Sequence, residues 1–406
     1  MKKSTYRILA KEQFINNNTW ETGLNNNDII VGTSGSYKTR SYVIPNILQC
    51  SESMIIADTK GHLRKMLAGF LEKQGYEVLN IDFIEFALSN GYNPLDYIRY
   101  DAKRGKYSEQ DIKTVASCIV PIETTREPFW ELAGRMYLES IIAYVMECLP
   151  EEEHNLDSAV TLFSEMGTGR FEKLFTELNQ LNPASFAVKQ YNMYKQNIQA
   201  EKMHASILGI LAEKLSMLTF DGVSEVFNNP KKINFSDMGK RKTALFVTVS
   251  DTDRSMDRLA NLFYTQALHV LCNSADREYE DGRLDIPVRF MLDDFATNIY
   301  LADFDKSISM IRSREIYVSL ILQSLSQLES LYGHAKAMTI LNNADNLLYL
   351  GGQDVETTRY IGIKANKSTS SILNMPLSKA WLFTRGRMPR ETQKYDLADH
   401  EKYSEL

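Results

Sequence analysis

The stretch Asp28-Ile29-Ile30-Val31-Gly32-Thr33-Ser34-Gly35-Ser36-Tyr37-Lys38-Thr39-Arg40 decides the fold of this chain. Its apolar residues 29–31 predict a short buried strand, and the loop that follows contains two glycines. Lys38 and Thr39 then begin a predicted helix. A strand, a glycine loop and a helix that opens on Lys-Thr form the context of a phosphate-binding loop, because the glycines let backbone N–H groups point at phosphate oxygens.

The residue types in this loop support the same chemistry, with one exception. The Lys38 ammonium would supply a point charge for the β- and γ-phosphates of ATP, and the Thr39 hydroxyl can ligate Mg2+. The pattern G-x-x-x-x-G-K-[ST] has glycine before the lysine, whereas this chain has Tyr37. Tyrosine tolerates a positive φ poorly. By itself, the segment is equally consistent with a Gly/Ser turn and with a nucleotide-binding loop formed by Gly32, Thr33, Ser34, Gly35, Ser36, Tyr37, Lys38 and Thr39.

Composition limits the class of protein. A chain of 406 residues predicts two or three structural units. A hydrophobic content of 44% with 24% charged residues is typical of a globular protein, and a net charge of −6 argues against a protein that coats nucleic acid over its whole surface. The four cysteines form no CxxC pair, which predicts free thiols in a reducing compartment. No apolar run approaches the ~20 residues that span a bilayer, and no signal-peptide pattern follows Met1, so we expect a cytoplasmic protein.

Strand and helix patterns alternate along much of the chain, which predicts an α/β fold with a mostly parallel sheet. Between about residues 108 and 235 the strand signals nearly vanish and helical patterns dominate. We therefore expect three parts: an N-terminal arm with the first part of a nucleotide-binding domain (1–107), an inserted all-α domain (108–235), and the second part of the nucleotide-binding domain with a C-terminal tail (236–406). The strand-like runs are 29–31, 54–57, 76–82, 243–249, 287–292, 316–322, 346–351 and 380–383.

Four local expectations follow from the same patterns. Residues 1–27 are interpreted as an arm or an edge hairpin, and residues 303–313 as a helix. Asp58-Thr59-Lys60-Gly61 ends the second strand and, in a parallel sheet, would lie beside the glycine loop. The charged tail 385–406 is expected to lie on the surface.

An acidic pair ends another predicted strand. Phe290-Met291-Leu292 is followed by Asp293 and Asp294, which would place two carboxylates at the edge of the sheet where α/β proteins bind ligands. In a phosphate-binding-loop ATPase the first acid holds the Mg2+ shell and the second orients or deprotonates the attacking water. Alone, the pair is more typical of an acidic helix N-cap than of a catalytic site, but Lys38 in a glycine loop of the same chain reverses this preference and favours the ATPase interpretation.

Two further side chains are candidates for the site. Arg312 follows a helical pattern, and a guanidinium can stabilise charge on a transferring phosphoryl group, often across a subunit boundary; a cation at a helix C-terminus is the alternative. Gln323 ends a predicted strand and could contact the γ-phosphate or the water, or could cap the next turn.

Taken together, several blocks in this order resemble the conjugative coupling proteins of type IV secretion, the TraG-like ATPases, especially those of Gram-positive mobile elements. The blocks extend over most of residues 25–400. They are Asn25-Asn26-Asn27 running into Gly32–Thr39, Arg40–Asn46, Asp58–Gly61, Tyr92–Leu95, Pro128–Trp130, Leu292–Ala296, Ile311–Glu315, Ile321–Ser324 and Gly351-Gly352.

The resemblance implies a RecA-like motor domain with an inserted all-helical domain, working as a ring-shaped hexamer. Such proteins use ATP to recruit or drive DNA, with its attached relaxase, into a secretion channel. Carried over by position, Lys38 and Thr39 serve the phosphates and Mg2+, and Asp293 is the metal-shell acid. Asp294 is the base; by the same resemblance, the trans arginine finger is Arg312 and the nucleotide-sensing residue is Gln323.

Three departures from that family pattern bear on function. Tyr37 replaces a loop glycine, and Asp294 replaces the usual glutamate. The N-terminal transmembrane segments of many relatives are missing from this sequence, so we expect a membrane-embedded channel partner to hold the protein at the membrane. The sequence therefore predicts a DNA-transfer ATPase, with two alternatives: a nucleotide-binding substrate adaptor that no longer hydrolyses ATP, and an unrelated α/β enzyme acting on a small molecule.

Overall fold

The computed structural model describes residues 5–123, 127–165, 169–198, 201–297 and 299–406. Within that part of the chain, the strand that precedes the glycine loop lies inside a nine-stranded sheet. The strands are β1 (Tyr6–Ala10), β2 (Gln13–Asn16), β3 (Asp28–Val31), β4 (Ser53–Thr59), β5 (Glu77–Asp82), β6 (Tyr100–Asp101), β7 (Lys106–Tyr107), β8 (Thr243–Val249), β9 (Val288–Leu292), β10 (Ile316–Leu322), β11 (Asn346–Tyr349), β12 (Lys379–Thr384) and β13 (Arg390–Gln393).

The large sheet has the order β13-β12-β11-β3-β10-β9-β4-β8-β5. All pairs from β11 to β5 are parallel, whereas β12 and β13 add an antiparallel edge. Every residue of β3, β8, β9 and β10 is buried, as expected for apolar strands covered on both faces. In the register, Val31 is level with Leu322 and Tyr349, so the glycine loop leaves the sheet beside the carboxyl ends of β10 and β11.

The helices fall between these strands and in a separate helical region. The α-helices are Thr19–Thr22, Ile44–Leu48, His62–Lys73, Glu109–Ile119, Phe129–Cys148, Leu156–Ser164, Arg170–Leu181, Phe186–Asn197, Glu201–Leu215, Asp221–Asn228, Asp257–Glu278, Phe304–Ser307, Leu325–Tyr332, His334–Asn342, Val355–Ala365 and Thr369–Leu373. A π-helical turn covers Thr39–Val43, and 3-10 turns cover Phe86–Leu88, Pro94–Tyr97, Glu151–Glu153, Ser216–Thr219, Phe235–Gly239, Ile311–Arg314, Leu397–Asp399 and Tyr403–Glu405. None of the helices in the described residues is long and apolar enough to cross a bilayer.

The chain forms two compact units. The first contains residues 1–84, 234–254 and 267–406 and carries the nine-stranded sheet; the second contains residues 85–233 and 255–266 and is mostly helical. The second unit also contains the two-stranded ribbon β6–β7. The division into 1–107, 108–235 and 236–406 stays a prediction.

Sequence patterns located most strands, and within the predicted arm or edge hairpin the residues 6–16 do form a hairpin, β1–β2. The helix predicted over 303–313 is wrong: Phe304–Ser307 is a short helix, and Ile311–Arg314 is a 3-10 turn. The hydroxyls of Ser307 and Ser309 donate to nearby backbone carbonyls, an interaction that competes with helix propagation. The tail 385–406 lies mostly on the surface, as expected, and within it Arg390–Gln393 forms the edge strand β13.

The placement of Asp58–Gly61 beside the glycine loop is also wrong. β4 pairs with β9 and β8 and is separated from β3 by two strands. Asp58 instead accepts hydrogen bonds from the backbone N–H groups of Leu63 and Arg64, at 2.9 and 2.7 Å. Its carboxylate therefore caps the helix His62–Lys73.

A buried polar cluster fixes the start of β3. Asp28 accepts hydrogen bonds from Arg7 Nε at 2.7 Å and from the Tyr42 hydroxyl at 2.6 Å. Arg289, on β9, is also fully buried; its Nε donates to Glu52 and its Nη1 lies 3.7 Å from Asp28. Because Tyr42 lies one turn after the glycine loop, the cluster ties the hairpin, β3, β9 and the helix that follows the loop to one position.

Candidate nucleotide-binding site

The backbone of the loop is held open by specific conformations. Gly35 and Tyr37 have φ values of +75° and +69°. A Cβ at Gly32 would come within 2.4 Å of the Ser36 Oγ, so any larger residue there would displace the Ser36 side chain. Thr33 N–H donates to the Gly351 carbonyl at 3.0 Å, which ties the loop to the end of β11.

Tyr37 occupies a conformation that favours glycine, with its side chain 59% exposed. The ring therefore does not fill the loop. The Lys394 ammonium lies 5.8 Å from the centre of the ring. A single non-glycine residue in the left-handed region costs about 1–2 kcal/mol, which the surrounding structure must supply.

Lys38 lies inside the loop with its side chain buried. Its ammonium donates to the carbonyls of Gly32 at 2.8 Å and Thr33 at 3.2 Å. Burial lowers the pKa of Lys38, while the nearby carboxylates of Asp294 and Asp293 act in the opposite direction. The ammonium is thus placed within the loop and held by groups that a phosphate oxygen can replace.

Thr39 and Asp293 join the loop to the acidic strand end. The Thr39 hydroxyl donates to Asp293 Oδ2 at 2.6 Å, although 254 positions separate the two residues. Burial raises the pKa of Asp293 to about 6, and the neighbouring Asp294 carboxylate adds to the rise. The hydrogen bond from Thr39 and the charge of Lys38 oppose it.

Asp294 contacts both its neighbour Asp293 and Gln323. Asp294 has a φ of +54°, and its N–H donates to Asp293 Oδ1 at 3.1 Å. Gln323 Nε2 donates to Asp294 Oδ1 at 3.3 Å. The order of the strands explains this meeting, because β10 lies between β3 and β9 and carries Gln323 at its carboxyl end.

Arg312 does not join this group. It lies before β10, at the opposite end of a seven-residue strand from Gln323, which places it ~20 Å away along the sheet. Its side chain is exposed and has no ion-pair or hydrogen-bond partner among the described residues. Its neighbour Arg314, by contrast, forms a two-point contact with Asp276, with N–O distances of 2.8 and 2.9 Å. The cation-at-a-helix-end alternative describes Arg314 better than Arg312.

The oxygen donors in this group suit Mg2+. The ion is bound in nucleotide sites through one or two protein oxygens together with phosphate oxygens and water, and Thr39 and Asp293 provide a hydroxyl and a carboxylate in contact. The buried Ser36 hydroxyl has no partner among the described residues, so it is available to an added acceptor such as a phosphate oxygen.

These features together define a candidate phosphate-binding site on a RecA-like α/β core. The chain belongs to the family of type IV secretory system conjugative DNA transfer proteins, whose sequence profile matches residues 3–400.

Known proteins agree with that assignment. The conjugal transfer protein TraG of Rhizobium radiobacter is 21% identical over 355 residues, which cover 85% of this chain and 53% of TraG. Protein VirD4 of Agrobacterium fabrum is 22% identical over 357 residues, covering 87% of this chain and 52% of VirD4. This chain therefore spans about half the length of these relatives.

A solved structure confirms the fold class. The plasmid coupling protein TrwB, in complex with the non-hydrolysable ATP analogue ADPNP, superimposes with a TM-score of 0.68 over 93% of this chain and 86% of TrwB, at 18% identity. TrwB has also been solved with ADP and Mg2+. The predicted α/β architecture, a RecA-like core with a mostly parallel sheet and an added helical part, is thus correct.

The structure brings Gly32–Thr39, Asp293, Asp294 and Gln323 to one edge of the sheet, and leaves Arg312 at the opposite edge. Sequence reasoning did not identify Lys394, which donates to the Ser36 carbonyl at 3.0 Å. No local pattern could have found it, since 358 positions separate the two residues.

Proposed function

We propose that this chain is a coupling ATPase of conjugative DNA transfer. It binds MgATP through residues 32–39, hydrolyses it, and recruits or drives DNA with its relaxase into a type IV secretion channel. It acts as a ring, a hexamer in the active state, on the cytoplasmic side of the membrane. A membrane-embedded partner of the channel holds it there.

The observation that carries this proposal is the hydrogen bond between Thr39 and Asp293. An ordinary Gly/Ser turn would not require a contact between Thr39 and Asp293, and neither would an aspartate that caps a helix. Their contact at 2.6 Å places an Mg2+-compatible oxygen pair beside a loop lysine, which supports ATP over a ligand without phosphates.

Each side chain has a defined task in the proposed reaction. Lys38 exchanges the carbonyls of Gly32 and Thr33 for phosphate oxygens. Thr39 and Asp293 hold Mg2+, which supplies charge neutralisation for the phosphates when it is bound. Asp294 accepts the proton of the attacking water, and Gln323 orients Asp294 through its amide.

Arg312 acts on the nucleotide of a neighbouring subunit. Its exposed guanidinium lies at the sheet end opposite to the loop of its own chain, so it cannot serve that nucleotide. In a ring, Arg312 of each subunit would lie beside the glycine loop of the next subunit. This arrangement accounts both for the exposure of Arg312 and for its distance from the loop of its own chain.

A second candidate function is a nucleotide-binding adaptor that does not hydrolyse ATP. It is favoured by the short side chain of Asp294, which is one methylene shorter than the usual glutamate and is already bonded to Gln323. The adaptor would still bind MgATP and deliver substrate to the channel.

DNA-stimulated phosphate release separates the two functions. We expect release that rises with added DNA in the wild type and is lost in K38A, with MgATP affinity lowered at least about tenfold in that variant. Lys73→Ala, an exposed lysine at the end of the helix His62–Lys73, is the matched control and should behave as wild type.

Two results would redirect the interpretation. Tight MgATP binding with no phosphate release at any DNA concentration would establish the adaptor. Unchanged MgATP affinity in K38A would show that the loop is not the nucleotide site. Binding of purified relaxase to the full chain, measured with and without MgATP, tests the substrate.

A further inference from the structure

Lys394 is an unusual neighbour for a phosphate-binding loop. It follows β13, at the antiparallel edge of the sheet, and its backbone N–H donates to the Ser378 carbonyl at 3.0 Å. Its side chain is half-buried and reaches the loop from the other end of the chain. The backbone position is therefore fixed by the sheet, so the contact with the loop is defined by the fold and does not depend on a flexible tail.

The ammonium of Lys394 makes two contacts, both with the loop. It donates to the Ser36 carbonyl at 3.0 Å and lies 5.8 Å from the centre of the Tyr37 ring. Among the described residues, no carboxylate lies within 4 Å of it, whereas the neighbouring Lys379 pairs with Glu391. Burial lowers the pKa of Lys394, as expected for a cation that lacks an anionic partner.

The two contacts fall on the residue where the loop departs from the usual pattern, Tyr37, and on the residue just before it, Ser36. Tyr37 has a left-handed backbone at the position that normally holds glycine, and Ser36 precedes it. A cation over the ring and a donor on the preceding carbonyl both restrain the peptide between the two residues. Such restraint can offset the conformational cost of tyrosine at this position.

We propose that Lys394 is a nucleotide-positioning residue that acts through Tyr37, and that the two residues together replace the loop glycine of related sites. Lys394 and Tyr37 hold the loop in the conformation that receives the phosphates. This inference rests on the proposed binding of MgATP at residues 32–39. It assigns a task to the edge strand β13 and to the side chain of Tyr37.

A double-mutant cycle on MgATP affinity tests the pair, using the full chain and isothermal titration calorimetry. K394M removes the charge and keeps the length of the side chain, and we expect it to weaken MgATP binding about tenfold. In a Y37G background the same change should weaken binding about threefold or less, because glycine needs no support in this conformation. K394R should retain most of the affinity, and K379M, on the same edge, is the matched control.

The other partner gives an independent test. Y37F keeps the aromatic face and should bind as wild type, whereas Y37L should lose affinity about threefold. This arm keeps the proposal falsifiable even if K394M does not fold. Melting temperatures of all variants without nucleotide distinguish a positioning effect from a general loss of stability.

Three results would overturn the inference. They are an unchanged affinity in K394M, an equal loss in both backgrounds of the cycle, and wild-type affinity in Y37L. Failure of the wild type itself to bind MgATP would instead contradict the proposed function, and K38A identifies that case because it tests the loop without involving Lys394.

Discussion

Replacing Asp293 by asparagine is expected to stabilise the nucleotide-free protein at neutral pH and to remove its response to MgATP. Asparagine has nearly the same shape as aspartate: its Oδ1 can still accept from the Asp294 N–H, and its Nδ2 can donate to the Thr39 hydroxyl, which then acts as the acceptor. The variant lacks the negative charge that the partly buried site disfavours. The charge that would bind Mg2+ thus destabilises the protein in the absence of its ligand.

The size of the expected stabilisation follows from the raised pKa of Asp293. Burial raises the pKa of Asp293 from 3.8 to about 6. At about 1.4 kcal/mol for each tenfold change in proton affinity, the ionised carboxylate costs about 3 kcal/mol of unfolding free energy at pH 7.5. At about 2 °C for each kcal/mol, the melting temperature of D293N should exceed that of the wild type by about 6 °C.

The sign of the pH dependence follows from the same shift. The folded state binds the proton more tightly than the unfolded chain, so this group favours folding fully below about pH 4. Its contribution is lost as the pH rises to about 6 and is constant above that value. The difference between D293N and wild type should therefore be about half as large at pH 5 as at pH 7.5. The other titratable groups contribute equally to the unfolding free energies of D293N and the wild type, so their contributions cancel in the difference.

Differential scanning calorimetry at the two pH values measures this difference, with Asp399→Asn, a fully comparable change at an exposed carboxylate, as the control. Added MgATP should raise the melting temperature of the wild type by several degrees and that of D293N by much less. A nucleotide-free D293N that melts below the wild type at pH 7.5, or a difference that is the same at both pH values, would refute the reasoning.

Three other substitutions test the remaining parts of the site and the fold. D294N should lower the rate of ATP hydrolysis by at least about 100-fold while MgATP affinity changes only a few-fold, as quench-flow and calorimetry can measure; equal losses of both would contradict its role as base. R312A should be inactive alone, but an equimolar mixture with K38A should recover about a quarter of the wild-type activity, because a quarter of random interfaces pair an intact loop with an intact arginine. D28A should lower the unfolding free energy by about 3–5 kcal/mol in urea titrations, since it leaves the buried Arg7 without its anion; a loss below about 1 kcal/mol would show that the cluster contributes little.

The parts of the site that the sequence predicted are those in which a strand and its functional residues are adjacent in the chain. An apolar run fixes β3, and another fixes β9, and each is followed at once by its polar residues. Because the carboxyl ends of parallel strands lie at one edge of a sheet, Lys38 and Asp293 were expected near each other, and they are. The roles of these residues in catalysis remain predictions.

The parts that sequence did not predict depend on partners far away in the chain. The order of the strands places β10 next to β3 and moves β4 two strands further, and apolar runs of similar composition cannot encode that order. The buried charges of Arg289 and Glu52 likewise look like surface residues in the sequence, since their partners come from different strands and loops. The spacing of apolar residues along the sequence indicates which side chains face the interior, but it does not indicate which of these side chains contact each other.

Tyr37 shows why a departure from a sequence pattern does not by itself mean a lost function. Four non-glycine residues with positive φ lie at the carboxyl edge of the sheet: Tyr37, Lys60, Asp294 and Ala296. Each would cost free energy in isolation, and such residues persist only where the surrounding contacts determine the backbone. At Tyr37 those contacts come from Lys394, and at Asp294 they come from Asp293 and Gln323. A loop without a ligand would gain stability by relaxing Tyr37 and Asp294, so the left-handed backbone of these two residues is consistent with the binding site proposed above.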